Sequence, residues 1–95
     1  MEPSSKQLRV VISGRVQGVW FRGWAAGVVS GYGLDGWIRN RRDGTVEAVF
    51  AGPAAAVDDM VRECRRGPPA ARVVAVECFD YADPVPPGFA SLPSA

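Results

Sequence analysis

The residues of this chain best suited to chemistry lie in two glycine-containing segments, SGRVQGVWFRGW at 13–24 and NRRDG at 40–44. The first segment combines glycines, which allow unusual backbone angles and close approach, with arginines that pair with anions. The chain contains no histidine, which excludes a Ser-His-Asp or Cys-His pair and argues against the usual zinc and non-haem iron sites. Any chemistry here must therefore depend on charge, backbone amides and positioned water.

The loop from Gly14 to Trp20 is predicted to join a strand to a helix, and it has two interpretations. Its consecutive amide N–H groups lack strand partners, so they can form an anion nest at the N-terminus of the helix. Arg22, in the first helical turn, can fold back over that nest and bind a phosphate in bidentate fashion. In the other interpretation the loop is a tight turn and Arg22 is a solvated charge. The glycine spacing fits neither a Walker loop nor GxGxxG.

Asn40 is predicted to end a strand beside the arginine-rich turn. A strand-end asparagine is commonly a turn former, but its amide could also hold a water molecule in line with a bound phosphorus. An arginine, an amide nest and a held water suffice to hydrolyse a phosphoryl compound with a good leaving group, because such transfer depends on positioning and charge stabilisation. An acyl phosphate releases a stable carboxylate without a general acid. The pattern therefore favours hydrolysis of a carboxylic–phosphoric mixed anhydride.

The elements that must position these residues follow the order β-α-β-β-α-β. Apolar periodicity, a hairpin turn at Asp43-Gly44, and helix stops at Gly33 and Gly67 support this order. The order predicts an α+β fold of the ferredoxin-like type, with two helices on one face of an antiparallel sheet and a short C-terminal edge strand. The strands are expected at 7–13, 34–40, 45–51, 71–79 and 89–93, and the helices at 21–32 and 53–66.

The first helix is intrinsically weak. Gly23, Gly27 and Gly31 each cost about 1 kcal/mol relative to alanine, so either tertiary packing holds the helix or the glycines let it lie close to the sheet. Large apolar residues at periodic positions are expected in or near the core. These are Trp24, Tyr32, Phe50 and Phe79.

Length and composition limit the classes of protein to which this chain can belong. Ninety-five residues indicate one domain, expected at 7–95 after a flexible N-terminus at 1–6. A net charge of +1 and the lack of a long apolar run argue against nucleic-acid and membrane partners. MEPSSKQ has no hydrophobic signal region, so a cytoplasmic protein is expected. A monomer is expected because no apolar stripe is left over once the two helices and the sheet are paired. Cys64 and Cys78 have no metal-ligand spacing and are expected to be reduced packing residues, with a disulfide or reactive thiol as the alternative.

Both chemical segments also resemble the signatures of the acylphosphatase family. GRVQGVWFR at 14–22 is similar to its G-x-V-Q-G-V-x-F-R loop, and GLDGWIRNRRDGTVE at 33–47 is similar to G-L-x-G-W-V-x-N-x-x-D-G-x-V-E. The resemblance continues through PPAARVVAVE and GFASLP and covers about residues 7–92. It implies a ferredoxin-like enzyme that hydrolyses acyl phosphates to a carboxylate and inorganic phosphate, with no cofactor and no metal.

The resemblance also implies roles for individual residues. Arg22 matches the family's phosphate-binding arginine, and Asn40 matches the asparagine that orients the nucleophilic water. The family uses no protein side chain as general base, in agreement with the missing histidine. Trp20 stands where the family often has a small residue such as glycine, and its ring either covers the pocket or packs beside it. The cradle whose backbone amides bind phosphate matches Arg15, Val16, Gln17, Gly18 and Val19.

Two other functions stay open at this point. One is a non-catalytic anion- or RNA-binding module on the same scaffold, although RNA-binding sheets use exposed aromatic residues and Trp37 is the only good candidate on its strand. The other is the acylphosphatase-like domain of a larger hydrogenase-maturation protein, which would require an extension that this sequence does not show.

Overall fold

The computed structural model describes residues 4–95, and these form a five-stranded sheet with two helices. The strands lie in the order β4-β1-β3-β2-β5, and every pairing is antiparallel except that of β5 with β2. This confirms the predicted ferredoxin-like α+β fold and its additional edge strand. The elements are β1 (Ser5–Arg15), α1 (Phe21–Tyr32), β2 (Asp35–Asn40), β3 (Val46–Pro53), α2 (Ala54–Arg66), β4 (Arg72–Asp80) and β5 (Phe89–Ser91).

One hydrophobic core lies between the sheet and both helices. Alternate residues of the central strands, such as Val10, Ile12 and Phe50, are fully buried there, as the two-residue period of a strand requires. The helices contribute stripes at helical spacing, which bury apolar area and so hold each helix on the sheet. The stripes are Phe21, Ala25 and Val29 on α1 and Val57, Met60, Val61 and Cys64 on α2.

Several element boundaries differ from the prediction. Ser5 and Lys6, expected in the flexible N-terminus, are paired in β1 with Pro53 and Gly52; residues 1–3 of that expectation lie outside the described residues. Pro53, expected as the first helical residue, instead ends β3. Its ψ of 134° is extended, and its φ of −55° is compatible with the last position of a strand directly before a helix.

The aromatic and cysteine predictions were partly right. Phe50 is fully buried, and Trp24 and Tyr32 are partly buried against the core. The prediction that Phe79 lies in or near the core was wrong. Phe79 is 45% exposed, because β4 is an edge strand and Phe79 pairs with Arg9 away from the helices. Both cysteines are free; Cys64 is buried and Cys78 is exposed. Burial raises the pKa of the Cys64 thiol to about 12, so it stays protonated at neutral pH.

The glycines of α1 do not bring the helix closer to the sheet. A Cβ built at Gly27 or Gly31 would have nothing within 4 Å, so both positions face open space. A Cβ at Gly23 would instead meet the indole ring of Trp20. Tertiary packing of the apolar stripe therefore holds α1, which was the first of the two predicted explanations.

On the sheet face opposite the helices, Glu47 joins three strands. Its carboxylate is 5% exposed and accepts hydrogen bonds from Arg9 Nε at 2.6 Å and Arg39 Nε at 2.7 Å. Burial acts to raise the pKa of Glu47, but the two arginine donors outweigh it and the pKa is lowered. The ionised carboxylate thus stabilises the neighbouring β1, β3 and β2 at neutral pH.

We expect Glu47→Gln to lower the free energy of unfolding near pH 7 by about 1–3 kcal/mol, because two charge-assisted hydrogen bonds lose their anionic acceptor. The folded pKa of Glu47 lies below its ordinary 4.5. Its stabilising contribution is therefore present above that value and is lost as the pH falls through the folded pKa. Urea unfolding near pH 7 and near pH 3 should show the difference between variant and wild type shrinking in acid.

Glu63→Gln is the matched control, since Glu63 pairs with Arg66 on the surface of α2 and exposed pairs of this kind contribute little, under about 1 kcal/mol. A loss in Glu47→Gln that is equally large in acid would contradict an electrostatic role for Glu47.

Candidate active site

Gly14 shapes the exit of the chain from β1. The pairing of β1 with β4 shifts register between Ser13 and Gly14, and Gly14 has a φ of +121°. A Cβ there would lie 2.2 Å from the carbonyl oxygen of Arg72. Only glycine therefore lets β4 approach so closely while β1 bends into the loop that follows.

The loop that leads into α1 leaves its backbone amides available. In the described range 4–95, the N–H groups from Val16 to Trp20 donate no hydrogen bond to another protein group. The side chains of Val16 and Val19 are buried in the core and anchor the loop from beneath, whereas Gly18 is exposed with a φ of +72°. Consecutive free amides at the start of a helix are suited to bind an anion.

Gln17 connects this loop to the β2–β3 turn. Its Nε2 donates to the carbonyl oxygens of Arg41 and Thr45, both at 2.8 Å. The turn is itself held by Asp43, whose Oδ1 accepts from the amide of Thr45 at 2.9 Å and from its hydroxyl at 2.7 Å. These hydrogen bonds from Thr45 lower the pKa of Asp43. The side chain of Gln17 thus fixes the loop against the residues that follow Asn40.

The loop, the start of α1 and the ends of β2 and β5 enclose a pocket of about 320 Å³. Arg22 and Asn40, which belong to different elements, both line it, and both side chains are half-buried. Within residues 4–95, neither side chain forms a hydrogen bond or ion pair with another residue. The backbone of Asn40 is held separately, since its carbonyl oxygen accepts from the amide of Ala95 at 3.0 Å. Both side chains are therefore available to a ligand.

The predicted cradle residues fall into two groups. Val16, Gln17 and Gly18 line the pocket together with Arg22. Arg15 and Val19 do not line it: Arg15 is exposed at the end of β1, paired with Arg72, and the Val19 side chain is buried. Neither side chain therefore forms part of the pocket wall.

The pocket also contains residues that the sequence did not indicate. Ser91 lines it from β5, because β5 pairs in parallel with β2 and places Ser91 opposite Ile38. A three-residue strand carries no signal of its register, so nothing in the sequence assigned Ser91. Trp20, whose ring was expected either to cover the pocket or to pack beside it, is 73% exposed and lines the pocket beside Gly23.

The pocket offers a defined set of chemical groups. Its lining includes one guanidinium, one carboxamide without a protein partner and the free loop amides, but no carboxylate and no thiol. Over the part of the chain that the structure describes, no group of three His, Cys, Asp or Glu residues could hold a metal ion, and no helix is long and apolar enough to cross a membrane. These groups can bind a tetrahedral oxyanion and orient a water molecule.

Comparison with known proteins gives consistent matches. The acylphosphatase family model matches residues 8–90. The chain is similar to the acylphosphatase of Rhodospirillum rubrum, with 56% identity over 89 residues that cover 94% of this chain and 98% of that protein. It is also similar to the acylphosphatase of Rhizorhabdus wittichii, with 50% identity over 86 residues that cover 90% of this chain and 87% of that protein.

Solved structures of acylphosphatases also match over most of the chain. The acylphosphatase structure from Coxiella burnetii has a TM-score of 0.88 at 28% identity and covers 93% of each chain. The one from Bacillus subtilis has a TM-score of 0.86 at 30% identity and covers 94% of this chain and 99% of that chain. A full-length HypF also matches, with a TM-score of 0.89, but this 21% identical region is 12% of that chain and shows a shared fold alone.

We expect Gln17→Ala to lower the free energy of unfolding by about 1–3 kcal/mol, since two hydrogen bonds to backbone carbonyls are lost. The loop is then no longer held against the β2–β3 turn, so binding of inorganic phosphate should weaken. Urea unfolding and calorimetric titration with phosphate measure the two effects.

Gln7→Ala is the matched control, because Gln7 Nε2 also donates to two carbonyl oxygens, those of Tyr81 and Asp83. Gln7 is outside the pocket lining, so this variant should lose stability without losing phosphate affinity. Equal phosphate binding by the two variants would contradict the positioning role of Gln17.

Proposed function

The chain belongs to the acylphosphatase family, and we propose that it hydrolyses acyl phosphates to a carboxylate and inorganic phosphate in the pocket shared by Arg22 and Asn40. One observation carries the assignment of the site: a guanidinium from α1 and a carboxamide from β2, neither engaged by another described residue, line one pocket with the loop of free amides. The substrate is a small-molecule acyl phosphate, and inorganic phosphate is a product.

The phosphoryl group binds in the cradle that begins at Arg15 and continues through Val16, Gln17, Gly18 and Val19. The loop amides donate to its non-bridging oxygens, and the N-terminus of α1 adds partial positive charge. The guanidinium of Arg22 binds two of these oxygens in bidentate fashion and stabilises the negative charge in the transition state. This charge stabilisation is the main contribution that a phosphoryl-transfer site makes to its reaction.

Asn40 orients the attacking water. Its side-chain amide holds the water in line with the phosphorus and the departing oxygen, which converts attack from solution into a positioned step. A bond forms between the water oxygen and phosphorus while the bond from phosphorus to the acyl oxygen breaks. The carboxylate leaves with the electron pair, and a water proton passes to a phosphoryl oxygen of the substrate. No side chain of the protein needs to act as general base or general acid.

The alternative of a non-catalytic RNA-binding module is not favoured. Trp37, the candidate stacking residue of the sheet, already lies against two side chains: the Arg39 guanidinium is 4.9 Å from its ring, and the Tyr81 ring is 6.5 Å away in an edge-to-face arrangement. The family model and the relatives at 50–56% identity are also acylphosphatases.

Substitution of the two proposed catalytic residues should separate binding from turnover. We expect Arg22→Gln to lose phosphate binding and activity, because the cationic ligand of the phosphoryl group is removed. We expect Asn40→Ala to lose turnover on the order of a hundredfold or more while phosphate binding is largely kept. The measurements are steady-state hydrolysis of benzoyl phosphate, with and without chelator, and titration with inorganic phosphate.

Arg62→Gln is the control for the loss of an arginine, since Arg62 lies on α2 in an exposed pair with Asp59 and outside the lining of this pocket. Wild-type protein that gives no turnover above the spontaneous rate would refute the proposed enzyme. Full activity in Asn40→Ala would refute the water-orienting role, and activity abolished by chelator would refute a metal-independent reaction.

A further inference from the structure

Trp20 keeps most of its surface in water although it lines the catalytic pocket. Its relative exposure is 73%, whereas Phe21, the next residue, is 2% exposed. Of the large apolar side chains that the structure records as exposed, Val74 and Phe79 lie on the edge strand β4, so Trp20 is the one at the pocket. A large apolar surface that remains exposed at a binding site is commonly used by a ligand.

The backbone at Trp20 is also unusual. Its φ of 64° and ψ of 27° are left-handed, and among the described residues 4–95 it is the one residue other than glycine with a positive φ. This conformation is rare for a bulky side chain, and such outliers cluster at functional sites. A glycine would adopt it without strain, so the presence of tryptophan is not explained by the turn.

The indole ring of Trp20 lies against Gly23. A Cβ at Gly23 would lie 2.2 Å from Nε1, 2.6 Å from Cε2 and 2.9 Å from Cδ1 of Trp20, and these are its three nearest atoms. The pyrrole side of the ring therefore lies against the backbone of α1 within its first turn. Both residues line the pocket that Arg22 and Asn40 share, so the ring forms part of the pocket wall.

We propose that Trp20 is a specificity-determining residue that binds the acyl group of the substrate and favours aromatic acyl phosphates over small ones. This inference rests on the proposed function, because the phosphoryl group must occupy the cradle for the acyl group to reach the wall of the pocket. A flat acyl group then covers the exposed indole face, and aromatic pairs of this kind add to the free energy of simple area burial. The ring contacts the acyl group and not the phosphoryl group.

The test compares kcat/KM for benzoyl phosphate and acetyl phosphate in wild type and in Trp20→Gly. Glycine removes the ring and suits the left-handed backbone, so the variant should fold at least as well as wild type. We expect the benzoyl-to-acetyl ratio to fall about three- to tenfold, the range that corresponds to one aromatic contact. Turnover of acetyl phosphate should fall less than turnover of benzoyl phosphate, and Trp20→Phe should keep most of the wild-type ratio.

Gly23→Ala tests the position of the Trp20 indole ring against α1 without changing the ring chemically. The added methyl group collides with the indole, so the ring must leave its place and the benzoyl-to-acetyl ratio should fall. In the Trp20→Gly background the same methyl group meets no ring, and Gly23→Ala should have no further effect. Phe79→Ala is the control for loss of an exposed aromatic residue away from the pocket, and it should keep the wild-type ratio.

The outcomes separate this inference from the proposed function. Wild-type protein that hydrolyses neither substrate refutes the function itself. Hydrolysis of both substrates with an unchanged ratio in Trp20→Gly refutes the acyl contact alone. An equal loss of both activities in Trp20→Gly also refutes it, because Trp20 would then act on the loop rather than on the acyl group. If Gly23→Ala lowers the benzoyl-to-acetyl ratio equally in wild type and in Trp20→Gly, the contact of the ring with Gly23 does not set the ratio, and that part of the inference is refuted.

Discussion

The proposed site depends on a single side chain that joins two separate parts of the chain. The carboxamide of Gln17 donates to the carbonyl oxygens of Arg41 and Thr45, and so fixes the distance between the anion loop and the end of β2. Without this link the loop would be held by β1, by the buried valines beneath it and by α1, but not by the β2–β3 turn. Phosphoryl transfer by positioning requires the phosphate ligands and the water-orienting group to keep one relative geometry, and Gln17 provides that constraint.

The distribution of charge supports the same site. Arg9 and Arg39 both bind the carboxylate of Glu47 on the far face of the sheet, so both guanidinium groups are engaged within the fold and one of their two charges is balanced there. Arg22 forms no ion pair with any residue of the described range 4–95 and keeps its charge for a ligand. A protein with a net charge of only +1 can therefore present a strongly cationic point at one pocket.

Much of the fold could be predicted from the sequence, because hydrophobic periods and glycine stops report local structure directly. The helix at 21–32 and the order of all elements were predicted on that basis. The predictions that were wrong depended on tertiary structure. Phe79 is exposed because β4 is an edge strand, and Pro53 ends a strand because Ser5 pairs with it. For the site, spacing and family resemblance pointed to Arg22 and Asn40. The contacts of Gln17 and Ser91 depend on residues far away in the chain, and no local pattern encodes them.

The glycine-rich character of α1 has a consequence for the dynamics of the protein. A helix with three glycines in twelve residues has little stability of its own, so its local opening should require less free energy than that of a well-formed helix. The proposed cradle and Arg22 lie at the N-terminal end of this helix, and an anion bound there would stabilise the helical state by mass action. Occupancy of the pocket is therefore coupled to the order of the whole helix, and amide hydrogen exchange along α1 should slow when phosphate is present.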